Sequence, residues 1–182
     1  MQNEEIYARV RSAGIPKEAI ATTLVKEKCP ELREFIEAKQ YQEKSIIYFS
    51  SMLLTLPFYT AAKEMILLGN AVYCCSLLDI HTALFKETEE AETIAAALEN
   101  ATFIAIRGFY DVGGRSEPYF TPYETAYFYS WFVRHHQNGI GFLLQGNDLL
   151  LLAEEWWPSS FIRYINRRCA VFNVAGRATD HE

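Results

Sequence analysis

With 182 residues, half of them hydrophobic and 14% aromatic, the chain can build a sizeable core and is too apolar for an intrinsically disordered protein. A formal net charge of −6 argues against coating nucleic acid as its main task, though it leaves room for a local basic patch. Stretches such as "GFLLQGNDLLLLA" are interrupted by polar residues and fall short of the roughly 20 needed to span a bilayer. "MQNEEIYARVRSAG" lacks the apolar core of a signal peptide, so the cytoplasm is the expected location and no membrane contact is expected.

Ile6, Val10 and Ala13 are spaced for a short amphipathic helix that Gly14 stops, and Pro16 stands at the start of another helical turn. Pro30 opens "PELREFIEAKQYQ", a surface helix with Leu32, Phe35 and Ile36 on its apolar side. "SIIYFS" is a compact apolar run suited to a strand buried on both faces. A helix then runs from Pro57 to Leu68 and stops at Gly69-Asn70. "AVYCCSL" reads as the second strand, followed by helices over "LLDIHTALFK" and "ETEEAETIAAALEN" and a third strand, "TFIAIRGF". "YDVGGRSEP" is the clearest loop. An aromatic helix follows Pro122, and "IGFLLQGN" is the fourth strand. "DLLLLAEEWW" and "PSSFIRYINRR" are helical, and "CAVFNVAG" is the fifth strand. Strands alternating with helices predict an α/β fold, a three-layer αβα sandwich on a mostly parallel five-stranded sheet. Residues 1–40 form a helical segment and 41–182 the α/β core.

The four cysteines, Cys29, Cys74, Cys75 and Cys169, show no metal-ligand spacing and read as reduced and mostly buried. Cys74 and Cys75 are neighbours in a strand and point to opposite faces, so they cannot grip one ion together. His135 and His136 diverge by about 100° on a helix and, with Arg134, read as a basic cap at its C-terminus. His81, on an amphipathic helix, reads as solvated or hydrogen-bonded. No metal and no cofactor is expected.

The order of these pieces resembles the ATPase domain of bacterial replicative-helicase loaders, the DnaC/DnaI type within the AAA+ superfamily, and that of their relative IstB. The resemblance covers about residues 14 to 177. "AGIPKEAIATTL" looks like the loader's entry helix. "KSIIYF…AAKEMILLGNAVYCCSLLDI" looks like its P-loop strand and helix followed by the second strand. "ATFIAIRGF" lies at the Walker B strand. "PYETAYFYSWFVRHHQNGIGFLLQGN" is similar to the helix and strand that deliver a sensor asparagine, and "PSSFIRYINRRCAVFNVAGR" is similar to the closing helix and strand. The segment ahead of Gly14 is shorter than the helicase-binding domain usual in that family.

The residues that hold nucleotide in the family are replaced here. A phosphate-binding loop needs glycines, whose backbone N–H groups close around phosphate, and a lysine to neutralise its charge. Ser50, Ser51, Met52, Leu53, Leu54, Thr55, Leu56 and Pro57 fill that stretch. Their Cβ atoms disfavour the left-handed turns of the cradle. The Walker B strand ends in acids that hold Mg²⁺, but Arg107 and Gly108 stand there instead. The expectation is a degenerate ATPase, not an enzyme. Asn147 either keeps the sensor position or caps the helix after it. Arg163 either stands as an arginine finger towards a neighbouring subunit or lies as an ordinary surface arginine. Arg163, Arg167, Arg168 and Arg177, joined by Arg107 and Arg115 near the carboxyl edge of the sheet, are the candidate contacts for single-stranded DNA. Trp156 and Trp157 either anchor a protein partner or pack in the core.

The resemblance implies a non-catalytic, helicase-loader-like protein of DNA replication, from a phage or mobile element. It would bind a replicative helicase or a loader, in a homo- or hetero-oligomer, without hydrolysing ATP. The alternatives are an inhibitor that caps a host loader through Arg163, an ATPase with an unfamiliar nucleotide site, and a structural subunit of a transposition complex.

Overall fold

A computed structural model describes residues 2–24, 29–50, 55–110, 120–146 and 157–173. Helices α1 (Gln2–Ser12), α2 (Lys17–Ile20) and α3 (Pro30–Glu37) precede strand β1 (Ile46–Ser50) and helix α4 (Thr55–Leu67). Then come β2 (Val72–Ser76), α5 (Leu77–Phe85), α6 (Glu89–Asn100), β3 (Phe103–Tyr110), α7 (Pro122–Gln137), β4 (Gly141–Gly146), α8 (Ser159–Arg168) and β5 (Cys169–Asn173).

The strands form one sheet in the order β2-β3-β4-β1-β5, and every described pairing is parallel. Helices cover both faces, so the strands are apolar on both sides rather than alternating with polar residues. Consecutive residues feed opposite layers. Ile46, Cys75, Ile104, Ile106, Phe142 and Leu144 face α5 to α8, whereas Ile47, Ala105, Leu143 and Ala170 face α1 to α4. Cys74 packs on the second layer and Cys75 on the first, as their adjacency in a strand requires. The fold is therefore a three-layer αβα sandwich. Residues 2–37 share the second core through Val10, Ala19, Leu32 and Phe35.

The first layer is unusually aromatic. Phe128 and Phe132 of α7 are fully buried. The Phe132 ring stacks on Phe142 with centroids 4.1 Å apart, and Phe109 stacks on Trp157 at 5.3 Å.

Local chemistry starts and stops the helices. Ser76 and Asp79 make a reciprocal capping box on α5, and Thr121 and Glu124 make one on α7, with Pro122 in the first turn. Thr88 caps α6 by accepting the Ala91 N–H at 3.1 Å. At the end of α4 the Gly69 and Asn70 N–H groups donate back to the Ile66 and Met65 carbonyls. Boundaries differ from the pattern in the sequence at several places, two of them in α3 and α4. The Pro30 helix ends at Glu37 rather than running to Gln42, because Lys39 turns left-handed (φ 55°) into a 3₁₀ turn over Gln40–Gln42. Helix α4 begins at Thr55, two residues ahead of Pro57, a placement a proline tolerates because first-turn N–H groups have no helical partner.

Candidate functional site

In a parallel sheet the carboxyl ends of all strands lie along one edge, where ligands of open α/β folds bind. Here that edge is formed by Ser50, Ser76, Gly146, Asn173 and the end of β3. Ser50 pairs with Gly146 on one side and Asn173 on the other. Thr55, Leu56 and Pro57 open α4, with Thr55 exposed and Pro57 buried. Ser51, Met52, Leu53 and Leu54 lie outside the described residues.

Arg107 pairs with Ser76, the last residue of β2, and is exposed. Between Ile106 and Tyr110 the register against β4 shifts, and Gly108 takes φ 68°, a left-handed angle that glycine adopts without strain. Arg107 keeps its pairing with β2 while β3 shifts register against β4 beyond Ile106. Burial pushes the Tyr59 hydroxyl up in pKa while the Arg107 guanidinium pulls it down, so the cation stands close to the first turns of α4. Its charge and the positive end of α4 add together on this edge. Asp79 accepts the Ser76 N–H at 2.7 Å to cap α5. Among the described residues no three His, Cys, Asp or Glu gather as a metal site. The edge thus offers positive charge and apolar packing.

The arginines of α8 belong to a different element from Arg107. Arg163, Arg167 and Arg168 are exposed, but α8 runs antiparallel to the strands and delivers Arg168 to Cys169, the first residue of β5. Cys169 pairs with Ile46, at the amino end of the sheet. Arg107 lies three residues further along β3, about 10 Å away along the strands and three strands across. Arg115, Asn147, Trp156 and Arg177 fall outside the described residues.

Trp157 is a core residue rather than a surface anchor. It is 6% exposed and packs against Phe109, Phe128 and Phe161. The basic-cap reading of the histidine pair also needs correction. His136 is buried, its Nε2 hydrogen-bonded with Ser45 Oγ at 2.5 Å and its Nδ1 with the Tyr164 hydroxyl at 2.7 Å. Burial, with Arg168 nearby, lowers its pKa, which favours a neutral ring clamping α7, α8 and the entry to β1. His135 hydrogen-bonds with the Trp131 carbonyl at 2.8 Å, and His81 pairs with Glu124 at 3.2 Å.

Lys63 and Gln145 are further buried polar residues. Lys63 of α4 is 7% exposed and donates to the Thr22 carbonyl at 2.5 Å and the Ile20 carbonyl at 3.4 Å. Its Nζ also lies 3.8 Å from a carboxylate oxygen of Glu64, the next residue of the helix. Gln145, buried in β4, has only its polarity within "GFLLQGN" to mark it.

The sequence matches no protein-family model and no curated protein. Solved structures do match. A crystal structure of DnaI aligns with a TM-score of 0.63 at 13% identity, over 89% of this chain and 92% of that one. AMPPCP-bound DnaA from Aquifex aeolicus aligns at 0.53 and 11% identity, over 81% of this chain. The replication initiator DnaA bound to AMPPCP and single-stranded DNA aligns at 0.58 and 10% identity, over 80% of this chain. The chain spans less than half of those two DnaA chains, 45% and 44%. At such identities the likeness is one of fold, and in fold the chain resembles the AAA+, P-loop NTPase-like domains of DnaI and DnaA.

Proposed function

We propose that this chain is a helicase-loader-like protein of DNA replication that works by binding, without hydrolysing ATP. The observation that carries the reading is Arg107, a cation on β3 opposite Ser76, the last residue of β2, in the strand where the family holds Mg²⁺ with acids. The stretch from Ser50 to Pro57, which contains neither glycine nor lysine, supports the same conclusion. The partner on this reading is a replicative helicase or a loader. Single-stranded DNA is a second ligand, met by the exposed arginines of α8. The likeness to DnaI over most of both chains supports a replication role, and a phage or mobile element fits a protein that acts on a host's replication machinery.

The test is titration of the protein with AMPPCP and Mg²⁺, followed by calorimetry. No heat of binding is expected at submillimolar nucleotide. Saturable binding would overturn the proposal in favour of an ATPase with an unfamiliar site. Helicase loading onto closed single-stranded circles, with and without the protein, then separates loader from inhibitor. The inhibitor reading is favoured by Arg163, which is exposed on α8 and makes no ion pair with a described residue, leaving it available to a neighbouring subunit.

A further inference from the structure

The two edges of the sheet are treated differently. At β2 the chain covers its own edge, since the Cys74 N–H donates to the Ala13 carbonyl at 3.1 Å and Arg9 reaches the Asn70 carbonyl at 3.1 Å. At the other end β5 pairs with β1 alone among the described strands. Its outer side forms one wall of a groove of about 850 Å³, and α3 with the 3₁₀ turn forms the other. An open strand edge presents N–H and C=O groups ready to pair with a further strand.

The lining says what kind of strand. Phe35 and Phe172 meet edge to face at 5.2 Å on the α3 side of the groove. Glu31, Glu34 and Glu43 line it, all exposed and none in an ion pair with a described residue, against Lys44 among the described lining. Along β5, Ala170 and Phe172 face the α3 layer, so Val171 faces the opposite way, 54% exposed. An added strand would therefore set alternate residues beside the carboxylates and the others beside Val171.

We propose that this groove binds an extended, basic segment of a partner protein as a sixth strand on β5. Cations at every second position would meet Glu31, Glu34 and Glu43, and apolar residues between them would cover Val171. Main-chain hydrogen bonds would supply affinity and the alternation would supply specificity.

The test uses the full chain and a labelled peptide alternating lysine and valine, followed by fluorescence anisotropy and amide hydrogen exchange. Saturable binding is expected, with slowed exchange across residues 169–173 and unchanged exchange at β2. A glutamate-valine peptide and a lysine-valine peptide with a central proline should each fail to bind. The triple variant E31K/E34K/E43K, whose changes are all on the surface, should bind the lysine-valine peptide about tenfold more weakly. Equal binding of the acidic or proline peptide overturns the proposal, as does unchanged exchange at β5. A dimer that protects residues 169–173 without peptide overturns it in favour of self-association.

Discussion

Replacing Lys63 with methionine tests whether a buried ammonium ties the N-terminal helices to the α/β core. Methionine keeps the length and much of the volume of the side chain and removes only the charge and its donors. The Nζ donates to Thr22 at 2.5 Å, and a hydrogen bond to a charged group contributes about 1.5–3 kcal/mol. The Ile20 contact, at 3.4 Å, is near the limit of hydrogen bonding and adds little. Against these stands the relief of desolvating an ammonium that is 7% exposed. The net loss should be about 1–2 kcal/mol, which in a chain of this size lowers Tm by about 3–6 °C. Circular dichroism melting reads the global effect. Amide exchange should quicken at residues 15–24 and stay unchanged in β3 and β4. An unchanged or raised Tm would refute the reasoning, because desolvation would then match or outweigh the hydrogen bonds.

His136 has a lowered pKa in the folded chain, so acid favours the unfolded state, which takes up the proton more readily. Stability should be level above about pH 6.5 and fall below it by at most about 1.4 kcal/mol per pH unit, and His136→Gln should flatten that slope in urea titrations. Gly141→Ala would set a Cβ 2.3 Å from the Phe103 ring, so a loss of about 1–3 kcal/mol is expected in the same titrations. Thr121→Ala removes the α7 capping box and should cost about 1 kcal/mol, read as a shift in denaturation midpoint. Burial pushes the Cys74 thiol up to about 12 and raises Cys75 as well, so iodoacetamide at mildly alkaline pH should label both far more slowly in the native than in the unfolded chain, as mass spectrometry would show.

Much of the fold is legible locally. Ile46 and Ile47 both read as buried, Cys74 and Cys75 as facing opposite ways, and Pro122 as preceding a helix, because period and breakers act between residues close in the chain. The candidate site was legible only in part. The lack of Gly and Lys between Ser50 and Pro57, and an arginine in the third strand, can be read directly. That Arg107 sits in a bulge beside Tyr59 cannot, because register is decided between strands.

Residue types and spacings determined by themselves that this chain alternates strands with helices around a two-sided apolar sheet. Tertiary structure alone decided the order β2-β3-β4-β1-β5, and with it which of the described strands lie at the edges, and that Lys63, His136 and Trp157 are buried. Those outcomes depend on pairings between residues far apart in sequence, and a side chain's surroundings exist only once the distant elements have met.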